Sequence, residues 1–290
     1  MNPAQELTVR LGGCWRGSYG TARCPAHDDH SPSLSIPAGR RGGPSVKCHA
    51  GCDPRDVIRA LRNAGRWLAA TWQQQPAAEN GADRRRRDEQ TRQYLLGVWR
   101  SAVPIDGTPA ERYLRNRGIA GALPPSLRYH RGLKHIETGL LLPCLVAAVQ
   151  GPDRSISGLH RTFLRNDGPD KARVSPKKML GKVAGGAVRL APAAAELAIG
   201  EGIETCLSFQ RATGIATWAA LSTSGMTAIV LPALPLAKTV YVLIDLDPAG
   251  ESAAQAVAAR LVRDGRWVKL ARPIAGKDFN DALREAVNAG

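Results

Sequence analysis

Three short apolar segments near the C-terminus, each followed by a helical pattern, constrain the fold more than any other feature of this sequence. The segments begin at residues 196, 238 and 267 and read "ELAIG", "KTVYVLI" and "WVKLA". The first two helical patterns end at Gly214 and Gly265, as glycine commonly ends helices. Strands that alternate with helices of this length predict a parallel sheet with helices on both faces.

Acidic residues follow all three predicted strands. Glu201 comes after the first strand, Asp245 and Asp247 end the second, and Asp278 lies in the turn after the third. Ligands gather at the carboxyl ends of parallel strands, and oxygen ligands on loops suit Mg²⁺ or Mn²⁺. The sequence therefore predicts a site for divalent cations at this edge of the sheet. The alternative, that the aspartate pair only caps a turn or a helix, stays open on spacing alone.

Two pairs of metal-ligating residues lie in the N-terminal part of the chain. Cys24 and His27 form the first pair, and Cys48 and Cys52 follow after a gap of twenty residues. Four ligands of this kind predict a structural tetrahedral zinc site, since a catalytic zinc keeps one position open. A unit of about 70 residues has a small core, to which structural zinc adds on the order of 10 kcal/mol. The competing ligands are Cys14, His30 and His49, and chance clustering of buried thiols is the other interpretation.

The segment 73–93 is polar and charged and lacks apolar periodicity, which predicts a flexible linker. After it, residues 94–117 show a helical pattern that ends before Gly118, and two strands flank a turn at residues 151–153. The predicted organisation is a zinc-binding domain at 1–72, the linker, a mixed α+β basic subdomain at 94–195, and the strand–helix domain at 196–290.

The net charge of +15 is unevenly distributed. Residues 1–100 carry +7 and residues 101–195 carry +9, whereas residues 196–290 carry −1. This asymmetry suits a protein that binds a polyanion on one part and a metal ion on another. The alternative is the solvated basic surface of a soluble protein.

The sequence also bears on where the chain is found. It has no apolar stretch of about 18 residues and no N-terminal secretion signal, so we expect a cytoplasmic protein without a membrane partner. Three of the six cysteines lie beside histidines, which favours metal ligation over disulfides.

The acidic motifs resemble a known family. "EG" after the first strand, "DLDPAG" after the second and "GKD" after the third resemble the Toprim domain shared by bacterial DnaG-type primases, topoisomerases and some nucleases. The resemblance implies that Glu201 acts as general acid or base or helps to hold metal. It implies that Asp245 and Asp247 coordinate the metal and that Asp278 supports them.

The outer positions of this motif depart from the replicative primases. Thr205 stands where those enzymes usually carry an aspartate, with Glu204 beside it. Asn280 stands in place of a second aspartate, with Asp281 one position later.

Two further segments resemble primases. "CPAHDDHSPSLSI" is similar to their zinc ribbon, and "YLRNRGI", "LLPCLVAAVQGPDRSISGLHR" and "KARVSP" resemble, in this order, the basic part of their catalytic core. The spacing of the zinc ligands is closer to versions from phages and mobile elements. The resemblance implies nucleic-acid or nucleotide contacts by Arg161, Lys171, Lys177 and Lys178.

The resemblance as a whole implies a DNA primase that synthesises short RNA primers on single-stranded DNA by metal-dependent nucleotidyl transfer. Its cofactors would be structural Zn²⁺ and catalytic Mg²⁺ or Mn²⁺, and its partners a single-stranded template and nucleoside triphosphates. It leaves open a replicative helicase partner, the initiation sequence and the choice between ribo- and deoxyribonucleotides. The alternatives are a Toprim-type nuclease and a non-catalytic single-strand-binding replication factor.

Overall fold

The computed structural model describes residues 2–39, 43–67, 81–168 and 170–289. The chain divides into two compact units, Met1–Arg85 and Arg86–Gly290. Each unit has its own core and is described by itself.

The first unit is a small antiparallel sheet with two helices. Its elements are helix α1 (Pro3–Arg10), strands β1 (Cys14–Trp15), β2 (Tyr19–Ala22), β3 (Leu34–Pro37) and β4 (Lys47–Cys48), and helix α2 (Pro54–Asn63). The strands pair in chain order. Asn2 and Asp53 begin the two helices by accepting backbone N–H bonds, followed in each case by proline in the first turn. The buried core is small and includes Leu7, Ile36 and Leu61.

The first half of the second unit is mostly antiparallel. Its elements are α3 (Gly81–Ser101, of which residues 86–101 belong to this unit), β5 (Val103–Pro104), α4 (Pro109–Asn116), β6 (Leu127–Lys134), β7 (Leu141–Gln150), β8 (Ile156–Phe163), β9 (Lys177–Gly181) and β10 (Ala187–Arg189). Strands β7 and β8 are the two strands predicted around the turn at residues 151–153. Helix α3 continues through residues 81–93 of the predicted linker, because the Arg, Glu and Gln residues there are good helix formers. Residues 73–80 of that segment lie outside the described residues.

The single helix predicted over residues 94–117 is wrong, since two helices occupy this region. Helix α3 ends at Ser101, and α4 begins at Pro109. Pro104, in β5, has no backbone N–H and so cannot form the hydrogen bond that would continue α3. Thr108 begins α4, since its hydroxyl oxygen accepts the N–H of Glu111 at 3.4 Å. The predicted stop at Gly118 is confirmed by its φ of 76°.

The C-terminal part alternates strands and helices. Its elements are β11 (Glu196–Gly200), α5 (Ile203–Thr213), β12 (Thr217–Ala219), α6 (Thr223–Ala228), β13 (Thr239–Leu243), α7 (Pro248–Arg263), β14 (Trp267–Ala271) and α8 (Phe279–Ala289). The three predicted strands and three predicted helices are all present. Strand β12 and helix α6 were not predicted because segments of three and six residues are too short to show a period.

One sheet runs through the whole second unit, in the order β14-β13-β11-β12-β10-β7-β6-β5, with β8 and β9 branching from β7. Strands β14, β13, β11 and β12 are parallel, and β10 pairs antiparallel with both β12 and β7. The carboxyl ends of β11 and β13 therefore lie side by side at one edge.

Helices cover both faces of the parallel strands. Tyr113 of α4, Leu207 of α5 and Phe279 of α8 pack into one core, and Met226 of α6 and Val257 of α7 pack into another. The predicted mixed α+β fold with a parallel-containing sheet is confirmed. None of the helices in the described part of the chain has the length and hydropathy that spanning a bilayer requires.

Candidate metal and nucleic-acid site

Adjacent parallel strands bring Glu201 and Asp245 to the same edge of the sheet. Glu201 follows β11, and its carbonyl oxygen accepts the N–H of Leu221 at 2.9 Å. Asp245 follows β13 after Ile244, which donates its N–H to Ala271 of β14. The backbones on both sides of each acidic residue are thus fixed by the sheet and its loops.

Asp247 and Asp278 reach this edge as helix caps. Asp247 caps α7, since its Oδ1 accepts the N–H of Gly250 at 2.7 Å. A Cβ at Gly250 would lie 2.4 Å from the carbonyl oxygen of Asp245, so glycine is required for this close turn. Asp278 accepts the N–H groups of Asn280 and Asp281 at the start of α8, at 2.7 and 2.9 Å. Capping thus occupies one oxygen of each carboxylate and leaves the other for a further contact.

The electrostatics of this edge disfavour four ionised carboxylates. Burial, followed by the charges of Asp278, Glu201 and Asp247, raises the pKa of Asp245 to about 6. Burial and Asp247 also raise the pKa of Glu201, against the opposing charge of Lys177. A positive charge placed among these groups would relieve the repulsion.

Asp245 has a second unmet requirement. Its Oδ1 is buried and has no hydrogen-bond partner in the described part of the chain. A buried acceptor without a partner is costly, and carboxylate oxygens are the ligands that Mg²⁺ and Mn²⁺ prefer. The residues present therefore fit a divalent cation. Among the described residues, these carboxylates do not form a compact group of three metal-ligating atoms, so a cation here would need further ligands from water or substrate.

A cavity of about 170 Å³ lies beside the carboxylates. Glu201, Asp245 and Asp278 line its acidic side, and Asp247 is not part of its lining. The basic side is lined by Arg117, Lys171 and Lys177, with His160 beside them. The cavity therefore joins a candidate cation site to a group of cations that suit phosphate.

Glu204 also lines the cavity and pairs with both lysines of its basic side. The side chain is 9% exposed, and its two oxygens lie 3.2 Å from Lys171 Nζ and 3.5 Å from Lys177 Nζ. The Tyr113 hydroxyl donates to Glu204 Oε1 at 2.5 Å. Burial raises the pKa of Glu204, but the two lysines and the tyrosine hydroxyl more than offset it and hold the pKa well below its ordinary value. Glu204 is therefore an ionised, buried counter-ion for both lysines.

Two further residues line the cavity: the sequence does not single out His160, and it leaves Arg117 open between a contact and a solvated helix surface. His160 is 4% exposed, its Nδ1 has no partner among the described residues, and burial together with Lys177 lowers its pKa to about 4. Arg117 donates to Asn280 Oδ1 at 3.4 Å, and Asn280 Nδ2 donates back to the Arg117 carbonyl at 2.8 Å. Asn280, which stands in place of an aspartate, thus ties the start of α8 to the basic wall.

The structure brings two of the four predicted cations to the cavity. Lys177 and Lys178 are neighbours in β9, so their side chains point to opposite faces. Lys178 forms an ion pair with Glu137, and its register partner Arg161 is 7% exposed and donates to the Met179 carbonyl at 3.1 Å. Arg161 and Lys178 do not line the cavity, because strand alternation places them on the other face. That they contact nucleic acid or nucleotide stays a prediction.

Comparison with known families adds to this geometry. Residues 196–289 match the family model of the Toprim domain. This segment is a Toprim domain. Residues 89–190 match a family model described as a domain of unknown function, DUF7146. The predicted resemblance to the Toprim family is confirmed, and all four acidic positions lie within the Toprim segment.

Several solved primase structures are similar to this chain. The Aquifex aeolicus primase, with zinc-binding and RNA polymerase domains, is 16% identical with a TM-score of 0.44, covering 98% of this chain and 80% of that chain. The primase fragment of the bacteriophage T7 primase-helicase protein is 10% identical with a TM-score of 0.40, covering 93% and 97%. A DNA primase domain from Pseudomonas aeruginosa is 14% identical with a TM-score of 0.42, covering 69% and 77%. No curated protein matches the sequence.

Apart from the Toprim segment, the structure places the four predicted zinc ligands together. The ligand atoms of Cys24, His27, Cys48 and Cys52 all lie within 4.8 Å of one another. Three thiols and one imidazole in this arrangement fit tetrahedral zinc. The competing ligands lie elsewhere: Cys14 and His30 are exposed, and His49 Nε2 is 2.8 Å from the Ser35 hydroxyl.

Asp29 holds the loop that carries two of these ligands. Its carboxylate accepts the N–H of Cys24 at 2.6 Å and the hydroxyl of Ser33 at 2.7 Å. These hydrogen bonds, that of Cys24 first, lower the pKa of Asp29 to about 2. An ionised Asp29 therefore supports the ligand cluster from outside it.

Proposed function

We propose that this protein is a DNA primase that synthesises short RNA primers on single-stranded DNA by metal-dependent nucleotidyl transfer. The observation that carries the proposal is the cavity in which Glu201, Asp245 and Asp278 face Lys171 and Lys177. A nucleoside triphosphate needs both a divalent cation and positive side chains for its phosphates, and this cavity has residues suited to each. The primase-like motifs of the first 195 residues support a template as the second substrate.

The carboxylates of Glu201, Asp245, Asp247 and Asp278 would hold Mg²⁺ or Mn²⁺. A divalent cation bound there would offset phosphate charge and favour ionisation of the attacking hydroxyl. The unpartnered Asp245 Oδ1 and the raised pKa values of Asp245 and Glu201 support this assignment.

Lys177 and Lys171 would bind the phosphates of the incoming nucleotide. Lys177 is the more accessible, at 43% side-chain exposure against 21% for Lys171. Glu204 would keep both ammonium groups at the cavity wall. The primer 3′-hydroxyl would then attack the α-phosphate, pyrophosphate would leave, and Glu201, whose pKa is raised, would be placed to accept the hydroxyl proton.

The N-terminal unit would serve the template. Zinc on Cys24, His27, Cys48 and Cys52 would stabilise this unit without taking part in the reaction. The charge of +16 carried by residues 1–195 would attract the DNA backbone and make template binding sensitive to salt.

One assay tests the proposal. The purified protein is incubated with circular single-stranded DNA, labelled ribonucleotides and Mg²⁺, beside two variants, Asp245→Ala and Asp106→Ala. Asp106 is an exposed aspartate outside the site. We expect short labelled oligomers from the wild type and from Asp106→Ala and none from Asp245→Ala. Template degradation instead would assign a nuclease, and a gel shift without any product would assign a binding protein.

A further inference from the structure

A second and larger cavity lies at the opposite edge of the sheet from the carboxylates. Its volume is about 780 Å³. Residues 191–193, which precede β11, and residues 230–233, which precede β13, form part of its wall. It therefore opens at the amino ends of the strands whose carboxyl ends carry Glu201 and Asp245, and the proposed reaction makes no use of it.

The wall of this cavity is largely apolar and unusually rich in proline, so we call it the proline pocket. The prolines are Pro124, Pro125, Pro152, Pro192 and Pro232. Aliphatic side chains and the rings of Trp99 and Trp218 complete the wall. Proline and tryptophan present rigid surfaces, so little conformational entropy is lost when an apolar group packs against them.

Hydrogen bonds hold the wall in place. Arg266, which is 9% exposed, donates to the carbonyl oxygens of Pro232, Leu236 and Ala237 at 2.5, 2.8 and 2.7 Å. The Trp218 indole donates to the Ala191 carbonyl at 3.0 Å. The pocket is therefore built before any ligand arrives.

Arg189 gives the pocket a cation with unused hydrogen-bonding capacity. Its guanidinium stacks on Trp218 at 4.4 Å and donates from Nη2 to the Gly151 carbonyl at 2.7 Å. Its Nε is buried without a partner among the described residues, as is the Ser126 hydroxyl in the same wall. The guanidinium of Arg189 therefore has an N–H donor without an acceptor in the described part of the chain, which an acceptor group of a ligand could use.

The charge near the pocket favours a negatively charged ligand group. Arg154 lines the pocket beside Arg189, and both burial and Arg154 lower the pKa of Arg189. Asp153 is close enough to act on Arg189, and hydrogen bonds from Ser155 lower its own pKa, so it stays ionised. Arg128, which stacks on Trp99, and Arg266, behind the wall, add to the positive charge. The pocket is therefore net positive and suits an anionic group such as a carboxylate.

We propose that the proline pocket binds a peptide segment of a partner protein in which a carboxylate lies beside apolar side chains. The carboxylate pairs with the guanidinium of Arg189, and the apolar side chains pack against the prolines and tryptophans. The volume is enough for several side chains, and the cationic Arg189 at the wall sets the requirement for a carboxylate near them.

Fluorescence anisotropy with the full chain tests this proposal. An array of ten-residue peptides, carrying one to three glutamates among leucine, isoleucine, proline and phenylalanine, supplies the probe, and its tightest member is labelled with fluorescein. We expect Arg189→Gln to weaken binding at least tenfold and Arg263→Gln, an exposed arginine on α7, to leave it unchanged. Replacing the peptide's glutamate by glutamine should weaken binding to the wild type as much as Arg189→Gln does. The two changes together should weaken binding no further than either change alone.

A second variant guards against misfolding. Ala233 lies at the exposed rim of the pocket, so Ala233→Trp should block the pocket while removing no buried group. The proposal is overturned if no array peptide binds with a Kd below about 1 mM, if both variants bind as the wild type does, or if ATP displaces the probe and so assigns the pocket to a nucleotide. The assay uses no template or primer, so its outcome is independent of the proposed primase reaction.

Discussion

Asp245 and Glu204 both line the smaller cavity, yet their surroundings move their pKa values in opposite directions. Burial and three neighbouring acids raise the pKa of Asp245. Burial acts on Glu204 in the same direction, but Lys177, Lys171 and the Tyr113 hydroxyl reverse its effect. Asp245 is thus a carboxylate that lacks a cation, whereas Glu204 already has two.

The raised pKa of Asp245 predicts how stability depends on pH. Its folded pKa of about 6 lies above the unfolded value of about 4, so ionisation between these values destabilises the fold. In EDTA, Asp245→Asn should flatten the fall in unfolding free energy as pH rises through this window. At pH 7 the variant should be about 1 kcal/mol more stable than the wild type, after allowance for partial exposure. Thermal denaturation from pH 4 to 7.5 measures this, with Asp106→Asn as control, and identical slopes for all three proteins would contradict it.

The buried network of Glu204 predicts a large loss of stability. Glu204→Gln leaves Lys171 and Lys177 without their counter-ion and should lower the unfolding free energy by about 3 kcal/mol. The matched variant is Glu251→Gln, which breaks a partly exposed ion pair with Arg272 and should cost about 0.5 kcal/mol. Urea denaturation of both variants decides the matter. Equal losses would show that Glu204 is no more important than a surface ion pair.

At the acidic edge, residues could be placed from the sequence because chain order sets their position. Glu201 and Asp245 could be assigned to one edge because each directly follows a strand of a parallel sheet. The partners of Glu204 could not, because Lys177 and Tyr113 lie 27 and 91 residues away and no local spacing marks them. The face of the sheet to which each lysine side chain points could not be predicted either, because β9 was not predicted. Alternation along this strand places Lys177 and Lys178 on opposite faces.

At the scale of elements, the strand–helix alternation of the Toprim domain could be predicted because glycine and proline mark its boundaries. Pro248 opens α7, and Gly214 ends α5 with a φ of 72°. The break between α3 and α4 was missed because Ala102 and Ile105, both buried, continue the apolar pattern across it. Only the residues around Thr108 indicate a new helix, and they do so through capping.

The capping of α4 can be tested directly. The Thr108 side chain accepts the N–H of Glu111 at 3.4 Å, and the Glu111 carboxylate accepts the N–H of Gly107 at 2.6 Å. Thr108→Ala should therefore reduce the unfolding free energy by about 1 kcal/mol. Thr108→Ser keeps the hydroxyl and should restore most of the loss. Equal stability of the alanine variant and the wild type in urea would count against the cap.

At the scale of the whole molecule, the two units differ in what stabilises them. The second unit has several large cores around its ten-stranded sheet. The first unit has one small core, beside the cluster of Cys24, His27, Cys48 and Cys52. A small unit of this kind depends on its metal, since structural zinc contributes on the order of 10 kcal/mol to folding.

Removal of zinc should unfold the first unit alone. After chelation, amides of β2 and β3 should lose hydrogen-exchange protection, and those of β11 and β13 should keep it. Metal analysis of two cysteine variants provides the control: Cys52→Ser should lose zinc, whereas Cys14→Ser, at an exposed cysteine outside the cluster, should retain it. Unchanged protection in β2 and β3 after complete zinc removal would contradict this expectation.

The central claim is that Asp245 and the acidic residues around it hold a divalent cation. Electron paramagnetic resonance during a Mn²⁺ titration measures this binding directly, without template or nucleotide and with the zinc cluster left loaded. We predict at least one bound Mn²⁺ per chain in the wild type and in Asp106→Asn, and a loss of at least tenfold in affinity in Asp245→Asn. Equal Mn²⁺ binding by wild type and Asp245→Asn, or no binding by either, would contradict the account.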